Sequence, residues 1–285
     1  MANLKDIKKR IGSLKNTSQI TKAMKMVSAA KLRRAQVSIV AARPYAEKMQ
    51  ALLASLSEGA ESLNHPLLEV RASKKVAVIL FTSDRGLCGG FNANLIKKAE
   101  AFSAESCTGK DRTMLFYGKK GRDHFNRRNA EIAGFYQASV DKSGYALAKE
   151  ISDDIIAAYT AGDYDEVYLV SGHFKSAMTQ IPTVEKLLPV VPEEGKESPE
   201  TVDVIYEPDP EAILEGLIPK YISSQIYKAI LETAASEHGA RMSAMDSASK
   251  NASEMIGNLT VQYNRARQAA ITTELMDIIN GAQAV

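Results

Sequence analysis

The chain has no tryptophan, and aromatic residues make up only 6% of its 285 residues. Its core must be built mainly from Ala, Ile, Leu, Val and Met, a palette that suits packed helices. Cysteine is scarce too. Cys88 and Cys107, nineteen residues apart, fit neither a disulfide framework nor a CxxC metal or redox motif. A reducing cytoplasm is the compartment this predicts. Long apolar runs are missing: the longest, Val76 to Phe81, has six residues, against the roughly 20 that a membrane-spanning helix needs. The opening MANLKDIKKR lacks the apolar segment of a secretory signal. The expectation is a chain that is soluble or held peripherally at a membrane.

Catalytic equipment is equally sparse. The four histidines, His65, His124, His173 and His238, are scattered, and no HExxH, histidine triad or Cys/His ligand set occurs. No catalytic, metal-binding or cofactor-binding residue is therefore assigned. The feature nearest to a binding motif is Ser83–Asn92 (SDRGLCGGFN), which follows an apolar strand and opens a helix, where backbone N–H groups could cradle phosphate. It is neither GxxxxGK[ST] nor GxGxxG. A tight turn with positive φ explains its glycines equally well.

Acidic residues are rare at one end. Residues 1–48 carry twelve Lys or Arg against only Asp6 and Glu47, a net +10, so the remainder must carry −8 to reach the overall +2. Such asymmetry predicts a polyanionic partner: nucleic acid, anionic lipid or acidic protein loops.

What is abundant is helix. Residues 3–58 contain no glycine between Gly12 and Gly59 and are rich in good helix formers. Ile7, Ile11 and Leu14 form an apolar stripe, and Ile20, Met24 and Val27 resume it after a shift of phase. Pro44 should kink this helix or divide it near Arg43. The period then changes. Strands are predicted at Lys75–Thr82, Thr113–Tyr117, Glu131–Tyr136, Glu166–Ser171 and Val202–Tyr206, with helices at Asn92–Glu105, Lys119–Arg128 and Ser143–Ala161. This alternation predicts an α/β domain with a mostly parallel sheet. Pro189–Pro199 reads as an acidic loop.

From Pro210 the helical signal returns, and no proline interrupts the 66 residues Lys220–Val285. Met242, Met245, Ser249, Ala252, Ile256, Leu259, Tyr263, Ala266, Ala270 and Thr273 keep the alternating 3,4 spacing of a coiled coil. Sixty-six residues make a helix of roughly 100 Å, whereas a compact globule of this length would be about 50 Å across. The helix must protrude, and the N-terminal helix is its natural partner. The predicted fold is α/β: a long antiparallel coiled coil of the N- and C-terminal helices plus a Rossmann-like α/β domain at one end. The divisions are 1–58 for the first shaft helix, 74–208 for the α/β foot and 210–285 for the second shaft helix.

Three segments carry a resemblance. IKKRIGSLKNTSQITKAMKMVSAAKLRRAQ with RPYAEKM, then SDRGLCGGFNANL, then ARQAAITTELMDIINGAQAV are similar to the gamma subunits of rotary ATP synthases. Ile271, Thr272, Glu274, Asp277, Gly281, Ala282 and Ala284 fit that family's C-terminal signature, and QIPTVEKLLP and YEPDP extend the likeness from end to end. The resemblance implies a non-catalytic rotor. Its paired helices pass through a head of three alpha and three beta subunits. Its foot joins the epsilon subunit and the membrane c-ring, and catalysis resides on the beta subunits. It implies that Met24 is the shaft methionine facing an acidic beta loop, with Lys25 beside it. Arg267 and Gln268 would meet a catch loop of beta, and Tyr206 would lie near epsilon and the ring. The apolar end Leu275–Val285 would sit in a bearing. No cofactor, small-molecule substrate or nucleic acid is implied. The chloroplast form's inserted cysteine pair is absent and no transit peptide precedes the first helix, so the setting expected is the cytoplasmic side of a bacterial plasma membrane, with the protein peripheral to it. The alternative from composition is a basic coiled-coil nucleic-acid-binding protein, although Tyr45 is the one aromatic in the +10 region.

Overall fold

A computed structural model describes residues 4–58, 65–128, 132–137, 144–190 and 210–283. In chain order the elements are α1 (Leu4–Glu58), β1 (Lys75–Phe81), α2 (Phe91–Ser106), β2 (Asp111–Tyr117), α3 (Lys119–Asn126), β3 (Ile132–Tyr136), α4 (Gly144–Ala161), β4 (Glu166–Phe174), β5 (Gln180–Leu188) and α5 (Pro210–Gln283).

Helices α1 and α5 pack against each other in opposite directions. Leu53 near the end of α1 shares a core with Leu214 and Ile218 near the start of α5, while Lys25 pairs with Asp246 farther along. The less exposed residues of α1 fall at Ile7, Ile11, Leu14, Ser18, Thr21, Lys25, Ser28 and Leu32, and so on to Met49 and Leu53, in steps of four and three. An average step of about 3.5 residues keeps one seam facing the partner only if the helices supercoil. On α5 the predicted seam is the observed one from Met242 to Ala270, with Met245 and Ala252 buried; Thr273 is already exposed.

The phase shift expected on α1 is not there. The seam runs straight through Ser18, Thr21, Lys25 and Ser28, whereas Ile20 and Val27 point outward at 60% and 56% exposure. Small polar residues line the contact because their hydroxyls can bond within their own helix, as Thr21 Oγ1 does to Ser18 O at 3.1 Å. Hydrophobicity therefore misplaces the seam at this level.

Nor does Pro44 divide the helix. α1 is continuous from Leu4 to Glu58 with Pro44 inside it. The carbonyl that loses its N–H partner belongs to Val40, which is 64% exposed and open to water. The buried Leu32 and Met49 pin the helix on either side.

The sheet has the order β3-β2-β1-β4-β5. β1 to β4 are parallel, and β5 runs antiparallel to β4. Central β1 is buried along nearly its whole length because both faces are covered. Its Val78 and Leu80 join the core under α2, while Ile79 and Phe81 join the core with α4, α5 and Leu53 of α1. The shaft's lower end is thus part of the sheet domain's own core. β5 was not among the strands predicted from sequence: it contains Pro182 and has a half-exposed, non-alternating pattern. An edge strand tolerates that proline. The strand expected at Val202–Tyr206 lies outside the described residues.

Candidate functional site

Two regions concentrate the groups that can act on a partner: the exposed shaft, and the joint where the shaft leaves the sheet domain. On the shaft, Met24 is half-buried and Lys25 sits on the seam, its Nζ donating to Asp246 Oδ1 at 2.6 Å. Lys250, one turn along α5, approaches the other carboxylate oxygen at 2.9 Å. Hydrogen bonds from Lys25 and then Lys250 hold the Asp246 carboxyl below the usual carboxylate range. Lys25 is thus tied to α5, while Ile20, Met26 and Val27 at the same level face outward.

Arg267 and Gln268 are exposed on α5. Counting equal rises from the Lys25–Asp246 pair, residue 267 lies opposite Leu4, where α1 begins, about 30 Å from the pair. The structure therefore does not bring Met24 and Lys25 together with Arg267 and Gln268; the two sets occupy different levels of one rod. Beyond Ala270 the helix has lost its companion, and Ile271, Leu275, Met276, Ile278 and Ile279 are 48–67% exposed. Tyr206 lies outside the described residues.

The second region combines the turn at Ser83–Asn92, which the sequence singles out, with residues of α5 that it does not. The turn after β1 is tied to three neighbouring helices. Ser83 N–H donates to Asn92 Oδ1 at 3.0 Å. Asp84 reaches the first turn of α3, accepting from Lys119 N–H at 2.9 Å. A carboxylate already stands where an anion would bind that helix end. Arg241 of α5 donates to Gly86 O at 3.2 Å and to Arg85 O at 3.3 Å. The positive φ falls on Gly89 (57°) and on Leu87 (62°), the latter a residue type that adopts it rarely. The turn is thus tied to α2, α3 and α5 through one N–H, one carboxylate and two carbonyls.

Around Arg241 the charges are mutually arranged. Glu237, one turn earlier, pairs with it at 2.7 Å, and His238 Nδ1 lies 3.3 Å from its Nη1. Burial pushes the Glu237 carboxyl up, against the pull of Arg241. Burial, and then Arg241 and Lys31, push the His238 imidazole down to about 4. Nearby, His173 Nδ1 on β4 lies 2.7 Å from Glu232 Oε2 on α5. Two histidines scattered in sequence thus flank one joint. The available sequence signal was the run Ser236–Ala240, whose small residues let α5 approach the strand ends. Ser236 Oγ donates to Gly172 O at 3.0 Å.

Comparison with known proteins places this architecture. A family model described as ATP synthase matches residues 3–285. The ATP synthase gamma chain of Geotalea uraniireducens (strain Rf4) is 54% identical over 286 residues, covering 100% of this chain and 99% of that one. The ATP synthase gamma chain of Pelotomaculum thermopropionicum is 47% identical, with both chains covered in full. The chain belongs to the ATP synthase gamma-chain family. Its fold agrees with solved structures. A chain of the Tetrahymena thermophila mitochondrial ATP synthase central stalk and c-ring aligns with TM-score 0.60 and 25% identity, over 81% of this chain and 99% of that one. A chain from the Euglena gracilis mitochondrial enzyme (OSCP/F1/c-ring) aligns with TM-score 0.70 and 17% identity, over 99% and 94%. Among the described residues, no helix is long and apolar enough to cross a membrane.

Proposed function

We propose that the chain is the central-stalk rotor of a proton-translocating ATP synthase, a subunit that transmits rotation and leaves bond-making to its neighbours. The observation that carries this reading is the shaft. A 74-residue α5, about 110 Å long, emerges from a small sheet domain with α1 alongside and ends in an exposed apolar tip. A patch of exposed apolar side chains of this kind marks a surface that partners cover.

In this reading residues 1–58 and 210–285 are the shaft and residues 74–208 the foot. Three alpha and three beta subunits surround the shaft, with the catalytic sites on beta, while epsilon and the c-ring hold the foot. The complex works at the cytoplasmic face of a bacterial plasma membrane. Met24 and Lys25 turn past an acidic beta loop, Arg267 and Gln268 engage a second beta loop near the top, and Tyr206 serves the foot. The shaft's basic charge suits such contacts because exposed ion pairs are worth only about 0–1 kcal/mol and release readily.

Purification of the tagged chain from its host tests the reading. The expected result is co-purification of two larger P-loop subunits in threefold excess over this chain, with proton-driven ATP synthesis lost when the chain is removed. Recovery of the chain alone, or of an assembly that makes ATP without it, would refute the rotor assignment.

A further inference from the structure

In open α/β sheets, ligands bind outside the C-terminal strand ends, at the point where the strand order reverses. In this sheet that point lies between β1 and β4, since β2 and β3 extend one side and β4 and β5 the other. α5 occupies it. Glu232, Ser236, Ala240 and Ala244 recur every fourth residue and so share one face of the helix. Glu232 and Ser236 bond to β4, Ala240 joins the core beneath α2, and Ala244 lies against Gly89. The approach is close because Gly172 has no side chain: a Cβ there would come within 3.0 Å of Phe91 and 3.4 Å of Ser236.

We propose that this filled crevice is a torque lock between foot and shaft, and that Arg241 is its positioning residue. The proposal rests on the rotor reading and names the residue through which rotation of the foot reaches the shaft. Beyond Ala244, the buried residues of α5 among those described are Met245 and Ala252, both on the seam toward α1. Twisting load between foot and shaft must therefore cross this joint or be carried by the core below it. Shape alone resists twist weakly, because small side chains can slide. A guanidinium donating to two carbonyls of a turn resists it directionally. Arg241 does this from an 8% exposed position, its charge balanced by Glu237, whose side chain is 17% exposed. The turn it grips is itself tied to α2 by Asn92 and to α3 by Asp84. Load taken up by Arg241 is thus spread across the sheet domain.

The test compares wild type with Arg241→Met and Arg241→Lys, as the full chain and in the assembled complex. In the full chain, amide exchange at Ser83 and Lys119, whose N–H groups tie the turn to Asn92 and Asp84, should rise several-fold with methionine, while β1 and α2 stay protected. In the complex, a probe on the foot with the head immobilised should show wider angular fluctuations, and the ratio of proton-driven synthesis to hydrolysis should fall. Hydrolysis by the head itself should be unchanged. Lysine keeps the charge opposite Glu237 but loses the fork, so it should restore both readouts in part. It also carries the test if the methionine variant fails to assemble. Unchanged exchange in the turn overturns the lock. Faster exchange with unaltered fluctuations and coupling ratio overturns its role in torque. Failure of the wild-type chain to enter any complex refutes the rotor reading instead and leaves the exchange result standing.

Discussion

Gly118 shows how single residues hold the sheet domain together. Its φ is +90°, and a Cβ there would fall 2.1 Å from the carbonyl oxygen of Thr82. The turn joins β2 to α3 and brings the Gly118 N–H to Tyr136 O at 3.0 Å. Gly118→Ala should destabilise the fold by about 3 kcal/mol or more, read as a shift in the denaturation midpoint. His238 supplies a pH signature. Its folded-state value lies near 4, below the ordinary 6.5, because burial and then Arg241 and Lys31 disfavour the cation. The unfolded chain therefore binds more protons between those values, so this contribution to stability falls as pH drops from about 6.5 toward 4. Titrating stability across that window should show the slope in wild type and a shallower one in His238→Gln. None of this was legible in sequence. In sequence His238 is one of four scattered histidines and Arg241 carries no signal, and only the packing of α5 on the sheet domain buries them. Lys25 was readable as a shaft residue, but its bond to Asp246 depends on the alignment of two helices 221 positions apart.

At the scale of elements the sequence was most informative where a repeat was long. The α5 seam was legible because the spacing persists over many turns, so single misfits do not hide it. α1 was harder. Its contact face carries Ser18, Thr21 and Ser28 where Ile20 and Val27 are the apolar neighbours, and hydrophobicity points to the wrong side. Substitutions should separate the two faces. Ser28→Leu, placed in a tight seam, should cost about 1–3 kcal/mol. Val27→Ser, on the outer face, should change chain stability by no more than about 0.5 kcal/mol in thermal or chemical melts. β5 escaped notice because an edge strand needs neither alternation nor a proline-free backbone, whereas the fully buried β1 could hardly be read otherwise.

For the whole molecule, length decided the architecture. A helix longer than any globule of this mass cannot be folded inside it, and that inference needs only a count of residues and the rise of a helix. The levels at which partners act could not be read the same way, since they depend on where α1 begins relative to α5. Residues 271–280 stand exposed without a partner helix, so removing 271–285 should leave the melting of the isolated chain within about 0.5 kcal/mol of wild type. It should nonetheless weaken retention in the complex, as measured by subunit dissociation.

The central claim is rotation, and it can be watched. With the surrounding subunits of the assembled enzyme fixed to a surface and a probe attached to the foot, ATP hydrolysis should turn the probe in one direction. A threefold surround should make it pause at three angles. A probe that stays still while ATP is consumed would contradict the account.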